Sequence, residues 1–243
     1  MKLVQLNVWA GRLQNQVSDF LHKESPDIIC LQEAISFNKK DAAIMRTIEN
    51  IQADNNLGYA IMAPTFSFKL MEGTASFGNC IISRSPIKKS EVIFTHLEHK
   101  SNFDFNEESG NVRNFVHAVI NLEGKSCNIL THHGYWIPEH KNGNEETMRQ
   151  IKQLVDYISN LSGPVILSGD FNLAPDSDSL KILNEKLTNL SLQYRLKTTR
   201  TQLTTKTEVC DYIFVNNEVK IQNFTASDEL VSDHKALILE FNV

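Results

Sequence analysis

Apolar and polar residues alternate along the first segment, KLVQLNVW. Val4, Leu6 and Val8 fall on one face, and Leu3, Gln5, Asn7 and Trp9 on the other. A period of two over such a length predicts a strand. Leu13, Val17, Phe20 and Leu21 then follow helical spacing, and SPD stops the helix. DIICLQ reads as a buried strand, and Ile44, Met45, Ile48 and Ile51 mark a second helix. The middle is strand-rich: YAIMA, FSFKLM, GNCIIS, EVIFTHL, NFVHAVINL and CNILTHH, several of them separated by turn signals. Met148, Ile151, Leu154, Val155, Ile158 and Leu161 trace one apolar helical face. GPVILSGDFN is another buried strand, a short helix follows near 177–187, and CDYIFV, VKIQNFTAS and KALILEF close the chain as strands. About ten to a dozen strands with about four helices is too much sheet for a doubly wound fold. Two sheets packed face to face with helices outside, an α/β sandwich, would bury these strands.

No Pro/Gly/Ser-rich linker or internal repeat divides the 243 residues, so one domain over 1–243 is expected. There is no run of 18 apolar residues and no secretory pattern at the start, so no membrane insertion is expected. Cys30, Cys80, Cys127 and Cys210 lie in or beside apolar runs without a CxxC pair, which suits reduced core thiols and a cytoplasmic setting. The formal net charge of −5, with only SRSPIKKS and YRLKTTR as weak basic clusters, weighs against a long polyanion as substrate without excluding one. No protein partner is evident.

Candidate chemistry gathers where apolar strands end. Asp170 and Asn172 in SGDFN are two apart, so in extended backbone they share a face. A carboxylate and an amide so placed can hold a hard cation or a water, although Gly, Asp and Asn also favour a plain turn. Glu33 ends CLQE, Asn7 sits in LNVW, and Asp233 and His234 precede the last strand. Asp211 starts CDYIFV and is a candidate to hold the tautomer of His234 and favour its imidazolium form. His132 and His133 are adjacent in LTHH, and regular strand geometry lets only one of them face a given side. Oxygen donors outnumber nitrogen and no Cys joins them, which favours Mg²⁺ or Mn²⁺ over Zn²⁺.

The series LNVW, PDIICLQE, LTHH, GDFN, DYIFV and SDH, in this order from residue 2 to 240, resembles the endonuclease/exonuclease/phosphatase superfamily. The resemblance implies a four-layer α/β sandwich of two mixed sheets, with divalent-metal-dependent cleavage of phosphate esters. It implies Glu33 as the principal metal ligand, with Asn7 and Asp233 beside the metal. Asp170 and Asn172 would position and activate the attacking water. His234, oriented by Asp211, would contact the scissile phosphate, and His132 would be the second phosphate-facing histidine. LQEAI departs from the Thr-Lys continuation of abasic-site endonucleases, and VCDYIFV has Cys210 where the family prefers an aliphatic residue preceded by Arg. Trp136 and Tyr135 are candidates to stack on a substrate ring, and Arg113 to meet a phosphate. Asp104, Glu107 and Glu108 read as a solvated acidic loop.

The reading is therefore a phosphodiesterase of nuclease or nucleic-acid-end-processing type. A small-molecule or lipid head-group phosphoesterase is the alternative, and a non-catalytic binding module on the same fold is the rival from another class.

Overall fold

Alternation sorts side chains onto two faces of each strand, and the computed structural model shows what each face meets. It describes residues 1–38, 48–70, 73–106 and 109–243. The predicted helix members Ile44 and Met45 lie outside the described residues, as do Met71, Glu107 and Glu108. In chain order the elements are β1 (Lys2–Asn7), a 3-10 turn (Trp9–Gly11), α1 (Gln14–Glu24), β2 (Ile28–Phe37), α2 (Ile48–Asn55), β3 (Tyr59–Leu70), β4 (Gly73–Ser83), β5 (Ile87–His96) and β6 (Arg113–Leu122). There follow β7 (Lys125–His133), α3 (Glu145–Ile158), β8 (Val165–Asp170), α4 (Asp178–Asn184), β9 (Thr188–Asn189), α5 (Leu190–Gln193), β10 (Asp211–Val215), β11 (Lys220–Ala226) and β12 (Leu237–Asn242).

These strands form two six-stranded sheets, ordered β11-β12-β1-β2-β4-β3 and β5-β6-β7-β8-β10-β9. Both are mixed, because β1 runs parallel to β2 and β7 parallel to β8 among otherwise antiparallel pairs. Leu3, Ile28, Cys30 and Ile81 from the first sheet meet Val116, Ile129, Ile166 and Ile213 from the second in one buried core. The alternate residues Val4, Leu6, Ile29 and Leu31 pack outward with Val17, Phe20 and Leu21 of α1 and Ile48 and Ile51 of α2. On the far side Leu130, Leu167 and Phe214 pack with Ile151, Leu154 and Val155 of α3 and with Leu180 and Leu183 of α4. The layers are thus helix, sheet, sheet, helix, and the expected sandwich is what forms.

Local sequence explains several boundaries. Asn144 caps α3 by accepting from the Thr147 N–H, and the Asn144 N–H donates to Thr147 Oγ1 in return. The segments YAIMA and FSFKLM, predicted as separate strands, are one strand, β3. Pro64 does not break it, because the register against β4 shifts there, between Pro64 and Phe66. A Cβ on Gly78 opposite would lie 2.1 Å from the Ala63 carbonyl oxygen, so only glycine permits that approach. No described helix is long and apolar enough to cross a membrane.

Candidate active site

Parallel neighbours end at the same edge of a sheet. Asn7 closes β1, His133 closes β7 and Asp170 closes β8, while the antiparallel β10 starts there with Asp211. The registers place His133 and Asp211 opposite Asp170, so these three side chains share the inner face with Ile129, Ile166 and Ile213. The inter-sheet layer, apolar along most of its length, becomes polar at this edge. Two glutamines and a threonine continue it, with Gln5 Nε2 donating to Gln32 Oε1 at 2.8 Å and Gln32 Nε2 to Thr131 Oγ1 at 2.8 Å.

Glu33 reaches the edge by a bulge. Strand parity would aim it outward with Ile29 and Leu31, under the helices. The β2–β4 register shifts between Leu31 and Ala34, and Glu33 takes a left-handed φ of 54°. Its Oε1 then accepts from Asn7 Nδ2 at 3.2 Å, and the same amide donates to Asp170 Oδ2 at 3.2 Å. One amide therefore links carboxylates from the two sheets. Burial pushes the Glu33 carboxyl above its ordinary range, with the Asn7 bond opposing and the Asp170 charge adding to the rise.

Asp170 faces Arg200 and two histidines. Burial alone would raise its carboxyl, but His234, Arg200 and His133 outweigh burial and hold it well below the ordinary range. Its Oδ1 accepts the Asn172 N–H at 2.9 Å, and its Oδ2 lies 3.6 Å from His234 Nε2 and 3.9 Å from His133 Nε2. Asn172 also has a left-handed φ, 54°, and its Nδ2 donates to the Gly134 carbonyl oxygen at 3.3 Å. Gly169, one residue before Asp170, has φ 150°, and a Cβ there would fall 1.9 Å from the His132 carbonyl oxygen.

His234 Nδ1 meets the Asp211 carboxylate at 2.9 and 3.0 Å. Burial lowers its affinity for a proton, and Asp211 and Asp170 reverse that, so its pKa is raised overall. Arg200 Nη1 rests against Nε2 of the same ring. The guanidinium charge opposes protonation of that ring, against the pull of Asp211 and Asp170. The ring and Arg200 thus compete for the same space beside Asp170.

One cleft of about 420 Å³ collects Glu33, Arg113, His133, Trp136, Asp170, Asn172, Arg200, Asp233 and His234. Asn7 reaches it through its two carboxylate bonds, and Asp211 stands behind His234, fully buried. The structure brings in His133 rather than His132. Cys127, Ile129 and Thr131 face inward, so His133 follows them, while His132 turns outward beneath Phe171 with ring centroids 5.2 Å apart. The predicted placement of His132 is corrected accordingly: burial lowers its pKa to about 4, and its Nδ1 binds the Asn114 carbonyl oxygen at 3.3 Å. Tyr135 is not at the cleft either; its ring packs edge-on against His96 at 4.9 Å. Trp136 is at the rim with the ammonium groups of Lys141 and Lys206 each 6.0 Å from its ring centre. Arg113 lines the cleft, but its Nε donates to the Gly134 carbonyl at 2.7 Å and its Nη1 to the Gly110 and Val112 carbonyls at 3.0 Å.

Two residues escaped the sequence reading. Arg200 lies in the weak basic cluster YRLKTTR, and only the loop that pairs it with His234 brings it to the site. Lys141 is buried and donates to Asn172 Oδ1 at 2.9 Å. Burial lowers its pKa, against the pull of Asp170.

The ligand atoms of Asp170, Asp211 and His234 lie within 4.8 Å of one another. Asp211 is already saturated, since Thr199 Oγ1 donates to it at 2.6 Å, His234 Nδ1 at 2.9 Å and Gln5 Nε2 at 3.4 Å. Glu33 fits a cation better. It is a cleft-lining carboxylate whose charge burial disfavours, it shares the cleft with the carboxylates of Asp170 and Asp233, and no Cys is among the cleft-lining residues. This donor set suits a hard divalent cation.

A buried carboxylate, amides, a buried His–Asp pair and arginines thus converge at one edge of the α/β sandwich. A profile of the Endonuclease/Exonuclease/phosphatase family matches residues 4–234. The chain belongs to that family, whose members are divalent-metal-dependent phosphohydrolases acting on phosphate esters. Curated protein sequences gave no match. Among solved structures, a family protein from Leptotrichia buccalis C-1013-b is 21% identical with TM-score 0.72, each chain covered in full. A mannosyl-6-phosphatase from Bacteroides thetaiotaomicron is 12% identical with TM-score 0.72, again with 100% of both chains covered. TDP2 of D. rerio, solved with a single-strand DNA product, is 15% identical with TM-score 0.71, covering 100% of this chain and 99% of that one. At these identities the likeness is one of fold.

Proposed function

We propose that the chain, as one domain, is a Mg²⁺- or Mn²⁺-dependent phosphodiesterase of nuclease or nucleic-acid-end-processing type. The observation that carries the reading is the convergence of Glu33, His133, Asp170, Asn172, Arg200 and His234 on one cleft. Glu33, with Asn7 and Asp233, would hold the cation. When bound, it neutralises charge on the phosphate oxygens.

The chain's own groups do the rest. Asp170 and Asn172 orient the attacking water. With its carboxyl so depressed, Asp170 is a weak base while Arg200 and the histidines face it. A phosphate in the cleft draws Arg200 and the histidines toward its own oxygens, and Asp170 regains basicity as they turn. Once Arg200 moves off Nε2, His234 can take a proton there and donate to the phosphate, with Asp211 stabilising the imidazolium. Trp136 offers a stacking surface at the rim, and an accessible aromatic beside a phosphate site supports a nucleotide-like substrate. TDP2, with its DNA product, supports the diester reading; the mannosyl-6-phosphatase supports the small-substrate alternative. Four buried free cysteines support a reducing, cytoplasmic setting.

The test is turnover with Mg²⁺ and Mn²⁺ on generic diesters, monoesters, single-stranded and duplex DNA, RNA and phospholipid head-group esters. Diesters, including short single strands, should be cleaved and monoesters cleaved poorly. Cleavage of monoesters alone would move the assignment to the small-substrate phosphatase, and no cleavage of any would leave a binding module.

A further inference from the structure

Beside the cleft is a second recess of about 260 Å³. Its walls are Phe66, Phe77, Phe103 and Phe105, and Glu33, Arg113 and His133 line both it and the cleft. The recess therefore opens onto the reacting centre. Its construction is specific. The β3 bulge between Pro64 and Phe66 sets Phe66 opposite Phe77, with ring centroids 4.7 Å apart and planes 10° from parallel. The chain after β5 is tied along the free edge of β3: Ser67 N–H donates to the Lys100 carbonyl at 2.9 Å, and Phe103 N–H to the Ser67 carbonyl at 2.8 Å. That lays Phe103 on Phe66 at 4.2 Å. Phe105 stands edge-on to Phe66, Phe68 and Phe103 at 79–89° and remains 63% exposed, in contrast to Phe66 and Phe103 at 4% and 6%.

We propose that this recess binds an uncharged aromatic ring on one ester arm of the substrate, while the phosphate sits between Glu33 and Asp170. The inference rests on the phosphodiesterase reading and names a substrate class for it. The walls offer ring faces and edges, the geometry in which aromatic groups attract one another. The four phenylalanine side chains carry no donor for a sugar or a second phosphate, and at the rim Arg113 Nε and Nη1 are taken by backbone carbonyls. The volume lies just under the ~300 Å³ at which pockets for drug-sized ligands begin, which is room for one ring system. An arm in the recess meets phenylalanines, whereas an arm left in the cleft meets Trp136 with Lys141 and Lys206 beside its ring.

The experiment compares methyl phosphodiesters of 2-phenylethanol, 2-methoxyethanol and 1-hexanol, chosen as unactivated primary alkanols so that leaving-group chemistry stays similar. kcat/KM should favour the phenylethyl ester over the methoxyethyl ester by on the order of tenfold, the scale of one stacked ring. The hexyl ester should fall between them. Phe105→Ala and, as a conservative second variant, Phe77→Leu should each narrow that ratio. In parallel, calorimetry with 2-phenylethyl phosphate and 2-methoxyethyl phosphate should give a similar ratio of affinities, narrowed by the same variants. Equal kcat/KM for all three esters, or a hexyl ester as good as the phenylethyl one, overturns the aromatic recess and leaves the phosphodiesterase reading standing. Absence of any turnover overturns that reading, and the calorimetric ratio then decides the recess by itself: a phenylethyl preference sensitive to Phe105 supports it, and equal affinities overturn it.

Discussion

Replacing Glu33 by glycine and by alanine separates the use of its carboxylate from the strain of holding it. Both variants lose the acid and the bond from Asn7 Nδ2. They differ in one methyl group, at a residue whose φ is 54°. A Cβ in the left-handed region costs roughly 1–2 kcal/mol, which glycine avoids. Against this, glycine frees the unfolded chain by about 0.4–1 kcal/mol. Glu33→Gly should therefore be more stable than Glu33→Ala by about 0.5–1 kcal/mol. In a chain of 243 residues that is a Tm gap of about 1–4 °C. The assay is thermal unfolding followed by circular dichroism, with and without Mg²⁺. A cation that binds only the folded protein adds about 2.7 kcal/mol at one hundred times its Kd, so wild type should gain several degrees on adding Mg²⁺. Both variants should lose most of that gain. An alanine variant as stable as the glycine one would refute the strain argument. Variants that keep the Mg²⁺ shift would remove Glu33 from the cation site.

His133→Ala should lower kcat by about 10²-fold with little change in Tm, whereas His132→Ala should cost about 1–3 kcal/mol of stability beneath Phe171 and leave the chemistry of the folded fraction largely intact; the reverse outcome restores His132 to the site. Folding raises the pKa of His234, so the stability from its protonated form is complete below the ordinary value of 6.5 and is lost as pH rises through the raised value. Asp211→Asn removes the main cause of that rise, so the alkaline limb of the kcat profile should move to lower pH, and an unmoved limb would contradict the pairing. Among the described residues, Arg12, Arg113, Arg200 and Lys206 are the Lys and Arg side chains that line the cleft, in a chain of net charge −5. With about three or fewer phosphates contacted outside the reacting centre, log K against log salt for duplex DNA should slope no more steeply than about −3. A slope near −6 would mean a basic face beyond the cleft.

The layers were legible because period-two alternation survives in nearly every strand. Val4 and Leu6 against Leu3 and Gln5 already separate the helix-covered face from the inter-sheet face. Asp170, Asn172, Glu33 and the Asp233–His234 pair stood out as polar groups at the ends of apolar runs, where only a turn or a site explains them. The choice between His132 and His133 needed more than local spacing. Alternation puts His133 with Ile129 and Thr131, but only the pairing of His133 with Asp170 shows which face is the inner one. Arg200 was hidden for a different reason. It lies in an irregular loop, and its approach to His234 depends on an isolated bridge between residues 34 apart, for which no periodicity exists. Glu33 marks the limit of parity itself, since the bulge that turns it toward the cleft inverts what alternation would give.

The two halves of the site belong to different sheets, and this sets what must be held still. Asn7 and Glu33 ride on β1 and β2; His133, Asp170 and Asp211 ride on β7, β8 and β10. An apolar interface alone fixes such sheets loosely along their length, because sliding exchanges one aliphatic contact for another. Hydrogen bonds across the interface do not slide in that way. Gln32 Nε2 reaches Thr131 Oγ1 at 2.8 Å, Asn79 Nδ2 reaches Asn114 Oδ1 at 2.8 Å, and Asn7 Nδ2 reaches Asp170 Oδ2 at 3.2 Å. Each ties one sheet to the other through neutral amides, which can be buried at modest cost once paired. A displacement of about 1 Å between reacting groups can cost 10²-fold in rate. The amides in the inter-sheet layer, which look from sequence like misplaced polar residues in strands, are therefore the groups that keep Glu33 and Asp170 at a working separation.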